Sequence, residues 1–408
     1  MDPHFPPEIW RNIFAFATFT ATSLNVMDWD PWPYVSSPET IDPALCYRST
    51  LPTKKALTLV SKKFREMSLV YLFELVQLFH TRNAELLLDT ILSHTSDTDK
   101  AKSPAKWISY IIVSLEPKPD IDYYSVDRPL MKIFPFCRNL AAFGLNSIGR
   151  LMSIEELDRS APLLASLPLT ITTLQWQRIS LERSFQPLRN RTALRNFYLA
   201  NVITITPEDG VDVAFPFIAH LDVRMFHTIK AASRWDLPSV SHLTLDWCNW
   251  KHVERLLSKC RNSIRSIHVM NLGEYRNDDF PRILASVPKL QTFSYGVDLK
   301  TLYSLPNSWL DVGHHESLTH VYIFCRPAST YMDYTGVSFS TIRDFFFAHL
   351  RPLIMRQLMP LTISIMNTQL IFERVDFWDD GYGAAAKQRF FDDLSASLSS
   401  SDVQFIVK

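Results

Sequence analysis

Glycine is scarce in this chain, with nine residues in 408, against about 7 % in an average protein. Folds that cradle phosphates or dinucleotides use glycine to bring backbone N–H groups against the ligand, so the shortage counts against nucleotide chemistry. The stretch Gly381-x-Gly383-x-x-Ala386 has the outline of a dinucleotide fingerprint, but Asp379 and Asp380 precede it and would repel a pyrophosphate. A tight turn before a helix is expected there. Charge of one sign is missing too. Lys plus Arg number 42 and Asp plus Glu number 42, which gives no overall pull toward nucleic acid or an anionic membrane. No run of about 18 apolar residues occurs, and the opening residues lack the charged-then-apolar pattern of a secretory leader. Cysteines stand at 46, 137, 248, 260 and 325, with no CxxC pair and no even framework. They are expected as reduced core thiols of an intracellular protein, cytoplasmic or nuclear. The triplet Asn190-Arg191-Thr192 is then expected to stay unglycosylated. HExxH, a nucleophile elbow, a P-loop and paired-Cys zinc spacing are all absent, so no enzyme, cofactor or metal site is expected. The pairs Asp278-Asp279 and Asp392-Asp393 are expected to be solvated faces or helix ends.

What is present begins with "FPPEIWRNIFAFA" at residues 5–17. Pro6 and Pro7 suit a helix opening, and Glu8 suits its positive end. Ile9, Ile13 and Phe16 fall on one side of such a helix, and Trp10, Phe14 and Ala17 on an adjacent side. Two apolar stripes imply two things to pack against. Residues 20–52, with Pro31, Pro33, Pro38 and Pro43, have loop composition. Within them Trp29, Trp32 and Tyr34 would either fold back on the domain or form a recognition element. Helical spacing returns at Thr53 with Ala56, Leu57, Val60 and Phe64 on one side and Lys54, Lys55, Lys62, Lys63 and Arg65 elsewhere. Leu69, Leu72, Phe73 and Val76 continue as a second short helix or an extended arm.

These two segments together resemble an F-box, whose pattern opens Leu-Pro-x-Glu-Ile and closes apolar-x-x-Val-Cys/Ser-Lys/Arg-x-Trp/Phe. Pro7, Glu8, Ile9, Ile13 and Phe14 match the first half, and Leu57, Val60, Ser61, Lys62 and Phe64 the second. Phe5 and Pro6 depart from the pattern, and the 20–52 insertion separates its halves, an arrangement of fungal F-box proteins. The resemblance implies docking onto the small Skp-type adaptor of a Skp–cullin–F-box ubiquitin ligase. The residues it implicates are Pro7, Ile9, Trp10, Ile13, Phe14, Leu57, Val60, Ser61 and Phe64.

The body carries a recurring apolar-x-x-apolar-x-apolar pattern. It is seen at Trp107-Tyr110-Ile112, Leu140-Phe143-Leu145, Ile171-Leu174-Trp176, Leu194-Phe197-Leu199 and Ile218-Leu221-Val223. It continues at Val240-Leu243-Leu245, Ile264-Ile267-Val269, Leu290-Phe293-Tyr295 and Leu318-Val321-Ile323. Successive starts lie 33, 31, 23, 24, 22, 24, 26 and 28 residues apart. The pattern is similar to irregular leucine-rich repeats, with one strand per unit, and residues 253–263 and 280–289 have the spacing of short helices between strands. The expected fold class is α/β. An F-box-like helical domain (1–80) leads through a linker or first helix (81–102) into a leucine-rich-repeat solenoid (103–368), with parallel strands on the concave face and helices outside. A strand–helix–strand cap (369–408) follows.

Alternation turns one set of strand residues outward. In this register the target-binding face presents Asn196, Tyr198, His220, Asp222, Arg224, His242, Thr244, Asp246, His268, Tyr322 and Phe324. His220, His242 and His320 share one row and His268 the next; a polar binding face is favoured over a metal site, because a metal needs three or four converging ligands with a second shell and His314 and His315 would point apart if extended. The expected role is a non-catalytic adaptor, with a Skp-type subunit, through it a cullin, and a target protein as partners, and neither nucleic acid nor membrane. A ligase-independent repeat scaffold, whose N-terminal helices only cap the solenoid, stands as the alternative, and an enzyme with an unrecognised site as a third.

Overall fold

A computed structural model of the chain describes residues 6–18, 43–94, 103–115, 124–146, 159–200, 202–203, 213–223, 225–245, 250–269, 279–297, 315–325, 344–347, 349–350, 360–366, 384–398 and 403–407. The chain divides into two compact units, Met1–His220 and Leu221–Lys408.

The first unit opens with three helices, α1 (Pro7–Ala17), α2 (Pro43–Val60) and α3 (Lys62–Phe73). Pro7 occupies the first turn of α1 and Glu8 sits at its positive end, as the sequence implies. Helix α2 starts ten residues earlier than its periodicity suggests, because Pro43 opens it and Pro52 is tolerated inside it. The stretch read as a loop therefore ends before residue 43. A strand, β1 (Leu75–Leu78), follows α3 directly, where a helix or arm was expected. Helix α4 (Thr81–Ser93) is next, its first turn held by the Asn83 carboxamide oxygen, which accepts from the N–H groups of Phe79 and His80 at 3.3 and 3.1 Å.

From there strand and helix alternate. The order is β2 (Tyr110–Ser114), α5 (Asp127–Ile133), β3 (Ala142–Asn146), α6 (Ser160–Ser166), β4 (Thr173–Trp176) and β5 (Ser180–Leu181), then a 3-10 stretch (Glu182–Asn190), β6 (Asn196–Leu199) and β7 (Val202–Ile203). Strands β1, β2, β3, β4 and β6 pair in that order, all parallel, while β5 and β7 make a separate parallel pair. The register is constant, as Leu75, Tyr110, Ala142, Thr173 and Asn196 stand side by side. One device repeats at each strand entrance. The carbonyls of Glu74, Ser109, Ala141 and Thr172 each accept from two consecutive N–H groups of the following repeat, so no buried donor is left over where the chain turns into the sheet. On the helix side the core is aromatic: Phe134 meets Phe143 at 5.3 Å, and Trp176, Phe185, Phe197 and Phe215 follow one another at 6.1, 5.9 and 5.5 Å between ring centres.

Strand β8 (His220–Val223) begins at the last residue of the first unit, and the second unit continues with α7 (Phe226–Ala232), β9 (His242–Leu245), α8 (Trp250–Cys260), β10 (Ser266–Val269), α9 (Asp279–Ser286), β11 (Thr292–Val297), β12 (His320–Cys325), β13 (Leu361–Met366), α10 (Ala384–Leu398) and β14 (Val403–Val407). Strands β9 to β14 pair in parallel in chain order. The carbonyls of Ser241, Arg265 and Gln291 repeat the two-donor device. Helices α8 and α9 fall where the spacing within 253–263 and 280–289 places them.

All nine repeat motifs of the sequence become strands, because the apolar alternation turns one side chain in two toward the helices. The leading apolar residue of each motif closes a turn. The N–H groups of Leu140, Ile171, Leu194, Leu290 and Leu318 each donate to the carbonyl three residues earlier. Of the expected strand–helix–strand cap (369–408), the helix α10 and the closing strand β14 form, while its first strand lies outside the described residues; β13 precedes the cap, and β14 pairs with it as one more parallel strand. Cys137, Cys260 and Cys325 are buried and unbridged, and burial pushes the Cys137 and Cys260 thiols up to about 12. Such thiols pack as small apolar groups and are poor nucleophiles.

Candidate functional site

Two surfaces follow from this framework. The first is built by α1, α2 and α3, whose halves are separated in sequence and joined in space. Helix α1 packs on α3 through three rings: Trp10 lies 4.7 Å and Phe14 5.1 Å from Phe64, and Trp10 lies 6.0 Å from Phe14. The Tyr71 hydroxyl donates to the Arg11 carbonyl at 2.9 Å and ties the same two helices again. The stripe of Trp10 and Phe14 is thus the inward one, and Phe14 is buried. Ala17, placed on that stripe by spacing, is exposed.

The other stripe faces out. Ile9 is 42 %, Ile13 43 % and Phe16 87 % exposed, and on α2 Leu59 is 84 % and Val60 62 % exposed. Three large apolar side chains stand at solvent on one face of α1 and two more at the end of α2, exposure of the kind that marks an interaction surface.

Of the residues the F-box resemblance implicates, Pro7, Ile9, Ile13, Val60 and Ser61 are exposed, while Leu57, Trp10 and Phe64 are half-buried. Phe14 belongs to the core and is not available to a partner. Ser61 has a structural duty: its Oγ accepts from the Phe64 N–H at 3.1 Å and caps α3. Sequence spacing put Phe16 on the outward stripe but did not single it out, and Leu59 was missed. The signal for Leu59 was its apolar neighbour Val60. Lys54, placed by spacing away from the apolar side, is buried, and burial lowers its ammonium pKa while Glu74 opposes that shift. The aromatic residues Trp29, Trp32 and Tyr34 lie outside the described residues, as do Gly381 and Gly383.

The second surface is the sheet face opposite the helices. In the second unit one row reads His242, Ser266, Thr292, His320 and Thr362, and the next reads Thr244, His268, Ser294, Tyr322 and Ser364. His242 and His320 therefore share a row and His268 lies in the next, as expected. Each row histidine is oriented by the residue before it. Ser241 Oγ and Thr319 Oγ1 lie 2.9 Å from Nδ1 of His242 and His320 respectively. Along β12 the rings of His320, Tyr322 and Phe324 stack at 6.2 and 6.3 Å.

Several residues expected on an open face are not open. Asn196 is 1 %, Asp222 5 %, His268 1 % and Phe324 2 % exposed, which corrects their reading as surface contacts. Asn196 Nδ2 donates to Thr173 Oγ1 at 3.1 Å, His268 Nδ1 lies 2.5 Å from Ser294 Oγ, and Phe324 meets the His268 ring edge-on at 5.5 Å. Buried polar groups of a parallel sheet bond to their neighbours across strands in this way. Tyr198, His220, His242, Thr244 and Tyr322 remain half-buried, whereas Arg224 and Asp246 lie outside the described residues. Among the described residues no three His, Cys, Asp or Glu side chains come together as metal ligands would, and no helix is long and apolar enough to cross a membrane.

Parallel strands laid down in chain order, with helices between them and a repeated two-donor entrance, define a leucine-rich-repeat fold. The sequence matches no protein-family model and no curated protein. Among solved structures, the leucine-rich repeat-containing protein LegL7 of Legionella pneumophila aligns over 82 % of this chain and 96 % of its own, with 15 % identity and a TM-score of 0.42. A protein of Bacteroides fragilis aligns over 71 % of this chain and 72 % of its own, with 11 % identity and a TM-score of 0.38.

Proposed function

We propose that this chain is the target-recognition subunit of a Skp–cullin–F-box ubiquitin ligase, with α1–α3 docking the Skp-type adaptor and the repeats holding a target protein. The observation that carries this reading is the division of labour on α1. Trp10 and Phe14 bind the two halves of the motif together, and Ile9, Ile13 and Phe16 are left at solvent, as are Leu59 and Val60 on α2. Burying an apolar side chain of this size is worth about 1.5–3 kcal/mol, so the three on one face of α1 alone supply a driving force for association. A helix that merely capped a repeat stack would turn a polar outer face to water, and α1 does not. The role is non-catalytic. Holding a target beside a charged ubiquitin carrier raises its effective concentration, and the chemistry is done by other subunits. The half-buried Tyr198, His220, His242, Thr244 and Tyr322 are the strand-face residues available for the target, with no part assigned to nucleic acid or membrane and a place in the cytoplasm or nucleus.

The test is co-expression with a Skp-type adaptor followed by size exclusion, comparing wild type with Ile13→Asp and Phe16→Asp. Co-elution of wild type, lost in variants that keep their circular dichroism spectrum, supports the reading. A folded wild type that elutes without the adaptor removes it and leaves a ligase-independent repeat scaffold.

A further inference from the structure

Helices α7 and α8 of the second unit carry an excess of positive charge that the chain as a whole lacks. From Phe226 to Arg265 there are seven Lys or Arg residues and three Asp or Glu, in a sequence balanced at 42 and 42. The cations are grouped. Lys230 stands in the last turn of α7 and Arg234 two residues past its end, and Lys251 and Arg255 are one turn apart on α8, both of the latter exposed. Like charges at that spacing on α8 oppose helix formation, and the group is a local concentration of positive charge. His252 lies among them: burial lowers its imidazole pKa, and Lys230, Lys251, Arg255 and Arg234 all push it further down. Lys259 locks the group in place, since its Nζ donates to the carbonyls of Arg234 and of Trp235, the latter at 2.8 Å. The Phe226 ring, 5.3 Å from that of His252, fastens α7 to α8 from the other side.

The charged surface continues into a groove. Between α8 and α9 lies a space of about 560 Å³ lined by Trp250, Glu254, Ser258, Arg261, Arg282 and Ser286. The Arg282 guanidinium sits over the Trp250 ring at 5.9 Å. With packed helices about 8–10 Å apart, the surface from α7 to α9 spans roughly 20 Å. That is far longer than a single small anion and comparable to about six extended residues at about 3.3 Å each. Glu254 in the groove disfavours a uniformly charged phosphodiester backbone or a sheet of anionic lipid. A peptide can place a neutral residue there and carboxylates on either side.

We propose that the α7–α8–α9 surface binds a carboxylate-rich, extended segment of a partner protein, with acidic side chains on Lys230, Arg234, Lys251 and Arg255 and one apolar side chain in the groove against Trp250. This site lies on the helices of the second unit and stands independently of what docks on α1.

The experiment uses the full chain and a fluorescein-labelled peptide of about ten Glu and Asp residues with a single central Leu, followed by fluorescence anisotropy at low salt. Saturable binding is expected, weakening steeply as salt is added. It should fall at least tenfold in Lys251→Glu/Arg255→Glu and severalfold in Trp250→Ala, and be unchanged in Lys62→Glu/Lys63→Glu on α3. Should the charge reversal disturb the circular dichroism spectrum, Lys251→Gln/Arg255→Gln gives the same reading without added repulsion. Absence of saturable binding overturns the proposal, as does equal affinity in all variants. Tighter binding of single-stranded RNA or phosphatidylserine vesicles, lost in the same variants, overturns it in favour of that ligand. Adaptor co-elution is a separate readout and does not bear on this result.

Discussion

Arg178 and Asp127, 51 residues apart in the chain, form a two-point ion pair inside the first unit, with Nη1 donating to Oδ2 at 2.7 Å and Nη2 to Oδ1 at 2.9 Å. Their side chains are 1 % and 9 % exposed, and the guanidinium lies 4.6 Å from the centre of the Tyr124 ring. Asp127 opens α5 and Arg178 follows β4, so the pair fastens one repeat to another. Removing one partner of a buried pair strands the other charge in an apolar setting and costs about 3–5 kcal/mol. Asp127→Ala should lose that much in equilibrium urea unfolding followed by tryptophan fluorescence. The double variant Asp127→Leu/Arg178→Met should recover most of it. If the double variant were as unstable as the sum of the singles, the pair would not be the unit of stability here.

Nothing in the sequence announces that pair, because two charges so far apart carry no local pattern. What was legible is local. The alternation Leu243, Leu245 or Ile267, Val269 at a period of 22 to 28 residues located strands correctly, since side-chain alternation is fixed by the strand itself. Strand β1 was hidden because Leu75–Leu78 continues the apolar run of α3 without a break, and all four of its residues are buried. Strand β13 was hidden because it follows β12 after a gap that breaks the period. On the α1–α3 surface, the two stripes were visible from spacing, but which one faced inward was not. That depended on Phe64 arriving from the other half of the motif. The exposure of Asn196, Asp222, His268 and Phe324 was misjudged because alternation gives the side of the sheet a residue is on, and says nothing of what lies against that side.

The two stripes of α1 should separate stability from binding. Phe14→Ala removes a ring packed on Trp10 and Phe64 and should cost about 3–5 kcal/mol, the usual range for a buried Phe. Ile13→Asp, at a position 43 % exposed, should change unfolding by no more than about 0.5 kcal/mol while abolishing co-elution with a Skp-type adaptor. Paired denaturation and size-exclusion measurements decide it. A destabilised Ile13→Asp would make the outward stripe part of the core.

Met225 precedes α7 with φ at 71° and ψ at 141°, and among the described residues it is the non-glycine residue with a positive φ. A side chain there is strained by about 1–3 kcal/mol, and glycine relieves that at an entropic cost of about 0.5–1 kcal/mol. The Met225 side chain is 50 % exposed, so little packing is lost with it. Met225→Gly should therefore raise stability, by about 1 kcal/mol, seen as a higher thermal midpoint. A lower midpoint would mean the side chain is held by contacts that outweigh the strain.

The buried contact between Tyr295 and His349 should make stability depend on pH. Tyr295 Oη and His349 Nε2 lie 2.8 Å apart, and Phe345 stacks on the imidazole at 4.8 Å. Burial holds the His349 pKa well below 6.5 and raises that of Tyr295 well above 10.0, Cys325 adding to the latter. The folded pair is thus a neutral imidazole with a protonated phenol. Below about pH 6.5 the unfolded chain takes up a proton that folded His349 refuses, so stability is complete above that pH and falls as the solution is acidified. Above about pH 10 the unfolded tyrosine ionises while folded Tyr295 does not, and stability falls again as pH rises. Urea midpoints measured between pH 4.5 and 8 should show a shallower acid limb in His349→Gln than in wild type. Tyr295→Phe should lose about 1–3 kcal/mol at pH 7.5, because the buried imidazole forfeits its hydroxyl partner. Identical acid limbs in wild type and His349→Gln would place the proton uptake on another group, and His252, whose pKa is also lowered by burial and four cations, would be the next to replace.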